Sequence, residues 1–431
     1  GSAGCGVGAS LWRRLLREHK VGKDGRQAAQ AVGVTTPHFD ETSNGRFVPR
    51  AVFATDSDES LQLARQLGVA SPEDLLSIAG CAAKSLFEYT VCTDEKAKLL
   101  YDMAEDRFRK QVERMCNLRN IVVTHSALEA CGAGLTSKML EQLSVEFPKV
   151  VKQAVSLVIP DQSETVNSMQ MLNNCSSILT VKEYVNMNVF ADENALHALC
   201  SGKHPSGLGL ASPSKSDEYD LVASMLSAWT SPARYGGGVA ASEGTLRSDP
   251  LKVATNLVPY PRINTLVASV APLFPANSSG FTLSKPEEIV GQALRHGCLS
   301  STKFEDGKYI ASAVSCRNIL HCSATAAITQ RRAHREFMMV DYVPTGFLVA
   351  SHPDSTVPKD GECSCLFNHT GIGSSFSSWK DKLGEWEEDC KAAASSVGAE
   401  EGEVDEMIEN LAAFSADYSE VGIETAEGEE E

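Results

Sequence analysis

Short apolar runs rich in valine and isoleucine, Phe47–Phe53, Ile121–Thr124 and Val155–Ile159, alternate with helical patterns along the first half of this chain. No other feature restricts the fold as strongly. A short apolar run bounded by polar or proline residues reads as a buried strand, and strands separated by helices cross over to pair in parallel. The spacing predicts helices over Leu135–Leu143 and Tyr219–Thr230. In the second, Leu221, Val222, Met225, Leu226 and Trp229 share one stripe and Pro232 is expected to stop the helix. The fold class that follows is α/β with a parallel sheet.

Beyond Pro259 the pattern changes. The apolar runs Leu266–Leu273, Tyr309–Val314, Phe337–Val343 and Phe347–Ala350 lack regular helical spacers, which points to a separate mixed α+β region. Two helical segments follow: Phe376–Ala394 carries Phe376, Trp379, Leu383 and Trp386, and Val404–Phe414 carries Val404, Met407, Ile408, Leu411 and Phe414. Each has an apolar stripe that should pack back on the body. From Glu424 to Glu431 apolar content is almost absent and like charges repel, so disorder is expected.

A chain of 431 residues has room for two or three domains, and no stretch approaches the ~20 apolar residues of a membrane span. The net charge of −17 disfavours nucleic acid and anionic lipid as partners. Thirteen of the acidic residues fall between Gly398 and Glu431, where there is no lysine or arginine. The 13 cysteines are odd in number and widely scattered, and no basic-then-apolar leader opens the chain, as expected of a reducing, cytosolic protein.

Two glycine-rich segments are candidates for phosphate. Gly1–Gly8 precedes a helical stretch containing Leu11, Trp12, Leu15 and Leu16; glycines before a helix let backbone N–H groups approach an anion, and a flexible tag or linker explains the run equally well. His125–Gly134 lies between a strand and a helix, the usual place for a phosphate cradle, but Leu128, Glu129 and Ala130 reduce its freedom and a carboxylate there would repel phosphate. Cys363, Cys365 and His369 lack the paired Cys-x₂-Cys spacing of zinc sites and read as ordinary thiols. His125 reads as a hydrogen-bonded structural histidine, and no Ser-His-Asp or Cys-His arrangement stands out.

The string Thr255-Asn-Leu-Val-Pro-Tyr-Pro-Arg-Ile263 resembles the segment that joins the nucleotide domain to the second domain in α-type members of the tubulin family. Other segments then fall into register over essentially the whole chain. Gly1–Gly8 resembles the first phosphate loop, Val48–Phe53 the second strand, and His125–Gly134 the glycine-rich loop with its helix through Phe147. Tyr219–Tyr235 is similar to the core helix, Pro344–Phe347 to a strand entry, and Glu400–Gly422 to the last helix. The spelling of the Asn256–Arg262 segment, the Asp417–Gly422 ending and an extended loop around Ser355–Glu362 favour the α type.

The resemblance implies a tubulin/FtsZ-like nucleotide-binding domain over 1–232 with its core helix at about 219–231. It further implies an intermediate α+β domain over 233–372, C-terminal helices over 373–422 and an acidic tail over 423–431. It implies GTP with magnesium, pairing with β-tubulin, microtubule-associated proteins on the acidic tail, and a place in the cytoplasmic cytoskeleton. The family's first strand, central in its sheet, has no counterpart after Gly1, so two strand edges are expected to lack a neighbour.

Carried over position by position, the nucleotide would meet Ser2, Ala3, Gly6, Ser126, Ala130, Cys131, Gly132, Gly134, Ser168, Glu193, Asn194 and Tyr219, and magnesium would lie near Asp56, Ser57 and Asp58. Many of these depart from the family. Ser2 and Gly6 replace glutamines, Cys131 a threonine, Ala133 a serine, Ser57 an acid, and Glu193 and Tyr219 base-contacting asparagines, with Lys215 near the place of a stacking tyrosine. The acid expected to act on the neighbouring subunit's nucleotide aligns with Lys252, so no catalytic residue is assigned. A divergent cytoskeletal subunit with weakened GTP binding is the leading expectation. The alternatives are a tubulin-like protein that has lost GTP and only associates with tubulin or microtubules, and a free-standing GTPase.

Overall fold

The computed structural model describes residues 1–28, 38–81, 83–91, 94–160, 166–201, 207–235, 250–272, 285–295, 298–301, 307–340, 346–352, 361–397, 399 and 402–423. Helix α1 (Ser2–Glu18) is followed by strands β1 (Phe39–Glu41), β2 (Phe47–Pro49) and β3 (Phe53–Thr55), helix α2 (Gln62–Arg65) and strand β4 (Leu75–Ser77). Next come α3 (Leu86–Thr90), α4 (Glu95–Glu113), β5 (Asn120–Ser126), α5 (Ala130–Glu146), β6 (Val151–Val158), α6 (Ser168–Tyr184), β7 (Met187–Asp192), α7 (Glu193–Ser201) and α8 (Lys215–Tyr235). The remainder comprises α9 (Pro250–Leu257), β8 (Thr265–Ala271), α10 (Pro286–Arg295), β9 (Tyr309–Arg317), α11 (His321–Ala333), β10 (Phe347–His352), β11 (Glu362–His369), α12 (Gly373–Glu385), α13 (Glu387–Ser396) and α14 (Glu403–Gly422).

One seven-stranded sheet, in the order β10-β9-β11-β8-β7-β6-β5, runs through both halves of the chain. β5 to β8 are parallel, as alternation with helices requires; β11 is antiparallel to both β8 and β9, and β10 is parallel to β9. The α/β class therefore holds. β5 has one sheet neighbour, and β3 pairs only with β4, in a separate parallel pair, so each shows an edge without a strand partner among the described residues.

Alternate residues of the inner strands serve different cores. Val189, Leu266, Ala268, Val270 and Leu366 join Leu221, Val222, Met225 and Leu226 of α8 on one face. Phe190, Val267, Ala271, Cys365 and Phe367 point to the other, where Phe376 and Trp379 of α12 and Leu411 and Tyr418 of α14 close over them. With both faces covered, the strands read as nearly unbroken apolar runs.

Several sequence expectations are corrected. Gly1–Gly8 is not a loop before a helix, because α1 already begins at Ser2. Its glycines supply closeness: a Cβ on Gly4 would lie 2.2 Å from the Thr124 carbonyl oxygen, so only glycine lets α1 rest on β5. Pro232 does not stop α8, which continues to Tyr235. The carbonyl that the missing proline N–H leaves free is Ala228 O, and it accepts instead from Ser231 Oγ at 2.5 Å and Ser315 Oγ at 2.7 Å. Phe376–Ala394 is two helices broken at Trp386. In Phe337–Val343 the described residues 337–340 form no strand, and only Met339 bridges to Tyr309. β11, which no sequence pattern announced, is the strand between β8 and β9, and the two halves meet where β8 pairs with β7. The expected loop at Ser355–Glu362 and the acidic tail from Glu424 fall almost wholly outside the described residues.

Candidate functional site

The site forms where the N-terminal ends of α1 and α5 meet beyond the end of β5. β5 finishes at Ser126, whose Oγ accepts the Leu128 N–H at 3.3 Å and turns the chain toward α5. Asn173 of α6 braces this turn: its Nδ2 donates to Leu128 O at 3.4 Å and to Lys84 O at 3.2 Å, and its Oδ1 accepts the Leu86 N–H at 2.8 Å. Sequence patterning missed Asn173 because its partners are remote in the chain. His125 is 1% exposed and pairs through Nε2 with Ser156 Oγ at 2.8 Å; Ser156 Oγ in turn donates to Asn188 Oδ1 at 2.7 Å. Burial holds the imidazole neutral, with its pKa down at about 3, in the structural role expected of it.

Glu129 occupies the N-cap position of α5, yet its carboxylate makes no cap on that helix. It turns to the other helix, where the Ala3 N–H donates to Oε1 at 3.3 Å and Oε2 at 3.4 Å. The two helix ends are close: a Cβ on Gly1 would fall 2.6 Å from Gly132 Cα and 2.8 Å from Glu129 Oε2. Ser2 Oγ lies 3.4 Å from Thr55 Oγ1. The Tyr219 ring covers Gly6, with ring carbon Cε2 2.4 Å from where a Cβ would be, and burial with Glu129 and Glu218 nearby pushes the phenol up to about 12. Ser2, Ala3, Gly6, Gly132 and Tyr219 are thus gathered at one junction. Ser126, Ala130, Cys131 and Gly134 line the start of α5 beside it, Cys131 being buried and Gly134 lying against Tyr89 of α3.

The other candidates are engaged differently. Ser168 begins α6, and its carbonyl faces the Cys390 thiol of α13 at 3.8 Å. Glu193 and Asn194 open α7 on the exposed surface, where Glu193 is ion-paired with Lys215, which also reaches Glu218 at 3.2 Å. Asp58 is turned to Arg65, at 2.8 and 2.5 Å, and accepts from Ser77 Oγ at 2.8 Å; these hydrogen bonds hold its carboxyl down at about 2. Asp56 accepts from Thr55 Oγ1 at 3.4 Å, and the Ser57 N–H donates to the same Thr55 oxygen at 3.2 Å. Lys252 lies exposed on α9 and makes no ion pair among the described residues.

This arrangement does not fit a phosphate held with a magnesium ion. The orphan amides of a helix N-terminus attract an anion, and here a carboxylate of the chain already accepts from one of those of α1, the Ala3 N–H. Of the acids expected near the metal, Asp58 is committed to Arg65, and no group of three or more His, Cys, Asp or Glu side chains among the described residues is placed to hold an ion.

Residues 1–201 match the family model described as Tubulin/FtsZ family, GTPase domain. The chain is also similar over its whole length to the tubulin alpha chain of Sordaria macrospora, with 27% identity across 97% of that protein.

Proposed function

We propose, from its likeness to the tubulin family, that this chain is a divergent α-tubulin-like structural constituent of microtubules that pairs with β-tubulin and binds GTP only weakly. Its function is tubulin-like and cytoskeletal. What carries the finer proposal is the extent of the likeness, which reaches past the nucleotide half through the Thr255–Ile263 segment to α14. The acidic face of α14 and the glutamates beyond it are suited to basic microtubule-associated proteins through a salt-screened attraction. The cytoplasmic cytoskeleton is the corresponding place. Co-assembly with β-tubulin tests the pairing: equal amounts of the two chains should pellet together in filaments, and a chain left in the supernatant would overturn it.

A second reading, association with tubulin or microtubules without any bound GTP, is favoured by one observation, the Glu129 carboxylate on the start of α1. In either case Lys252 bears on the filament contact. A protonated ammonium has no lone pair with which to accept a proton from water. A filament containing this subunit should release phosphate slowly, and Lys252→Glu should speed release by ~10-fold or more if a general base is restored. Unchanged release with normal assembly would remove Lys252 from that role.

A further inference from the structure

Two helix N-termini face each other across a gap lined by glycine, and a single carboxylate fills it. The first N–H groups of α1 have no side-chain cap of their own, and no acid lies in its first turn. Such an end carries orphan donors and partial positive charge. Glu129 supplies the anion from 126 residues away in sequence, with both oxygens near the Ala3 N–H. Its own backbone carbonyl still takes the Ala133 N–H at 2.8 Å, so the residue starts α5 with its main chain and neutralises α1 with its side chain. The Gly1 and Gly132 backbones pack closely beside the carboxylate, since a Cβ on Gly1 would fall 2.7 Å from Gly132 N and 2.8 Å from Glu129 Oε2.

We propose that Glu129 is a tethered anion that holds the α1–α5 junction closed in place of a nucleotide phosphate, so that phosphate enters only by displacing it. The proposal rests on the family reading for the identity of the competing ligand. Because the carboxylate is covalently tethered, it competes at the effective concentration of a short linker, in the millimolar range or above. Observed affinity for a competing phosphate is the intrinsic affinity reduced by the fraction of molecules in which Glu129 has swung away. The same tether keeps the two helices joined when nucleotide is absent. Glu129 is thereby a specificity-determining residue, and removing it has opposite effects on ligand binding and on the stability of the ligand-free chain.

Calorimetric titration of the full chain with GTP, alongside thermal melts with and without GTP, tests this in wild type, Glu129→Gly and Glu129→Gln. Glu129→Gly should bind GTP at least ten-fold more tightly than wild type, melt lower without GTP, and regain the loss when GTP is added. Glu129→Gln keeps the shape without the charge and should fall between them; it preserves the test should the glycine variant fail to fold. Equal affinities in all three chains, or no GTP binding in any, would overturn the proposal. Co-assembly with β-tubulin in the same preparations keeps the two claims apart. Normal assembly with unchanged GTP affinity sinks the tether alone, whereas tighter GTP binding in Glu129→Gly without assembly sinks the microtubule proposal alone.

Discussion

The two ends of α1 handle a carboxylate in opposite ways. At the C-terminal end Glu18 is 4% exposed in its side chain and is gripped by Arg14 at 3.1 Å, Arg234 at 2.8 Å and Arg317 at 2.9 Å, with Ser227 Oγ donating at 2.6 Å. Arg317 continues to Glu362 at 2.7 Å, so that one network ties α1 to α8, β9 and β11. At the N-terminal end Glu129 has, among the described residues, a single backbone donor, in Ala3. A buried ion that is fully paired is costly to break, while a carboxylate held by one long hydrogen bond is easily exchanged. The first end is a joint between the two halves of the molecule, and the second is the place where the proposed tether would be exchanged for a ligand.

The strongest way to break this contrast is at Glu18. Glu18→Gln removes the carboxylate shared by Arg234 and Arg317, both 0% exposed in their side chains, leaving Arg317 the Glu362 carboxylate, and should cost ~3–5 kcal/mol in chemical denaturation. Burial alone would raise the Glu18 pKa, but Arg234, Arg317 and Ser227 outweigh it and hold the carboxyl at about 2. The folded value lies below the unfolded one, so this stabilisation is complete above about pH 4.5 and is lost as pH falls toward about 2. An acid-unfolding curve for Glu18→Gln that matched wild type would refute the joint.

Lys182 sharpens the comparison because it is a buried charge that no carboxylate among the described residues reaches with a hydrogen bond. Its ammonium is held by Arg262 O and by Asn264 Oδ1 at 3.3 Å and lies 4.4 Å from the Phe414 ring centroid. Burial pulls its pKa down to about 7, against a raising influence from Asp417. Between that value and the unfolded lysine's, the unfolded chain binds more protons, so stability should rise with pH, by ~2 kcal/mol from pH 7 to 9. Lys182→Met should lack this gain. An identical pH profile in the variant would mean that the ammonium is better compensated than its neighbours suggest.

A smaller effect is expected where glycine sets the helix packing. Gly4→Ala must push α1 off β5 and should cost ~1–3 kcal/mol. If the first eight residues were instead a pliant loop, the melting temperature would hardly move.

Legibility followed the range of the interactions. β5, β6 and β8 were visible as apolar runs, and α5 and the middle of α8 as stripes, because burial on two faces or one writes itself into neighbouring residues. β11 was not, since Cys363-Ser-Cys365 drew attention as thiols and its alternation, Cys365 and Phe367 to one core and Leu366 to the other, is readable only once both cores are known. The last turn of α8 depended on Ser315, 83 residues past Pro232, to satisfy a carbonyl. At the site, sequence flagged Glu129 as hostile to phosphate but gave no sign of where its charge would go. Its acceptor role toward Ala3 exists only after β5 and α1 have packed.

The most direct test is a count of nucleotide per chain. Acid extraction of full-length protein purified without added nucleotide, followed by chromatography, should release far less than one GTP or GDP per chain, because Glu129 already stands on the start of α1. One tightly held guanine nucleotide per chain would contradict a self-occupied junction.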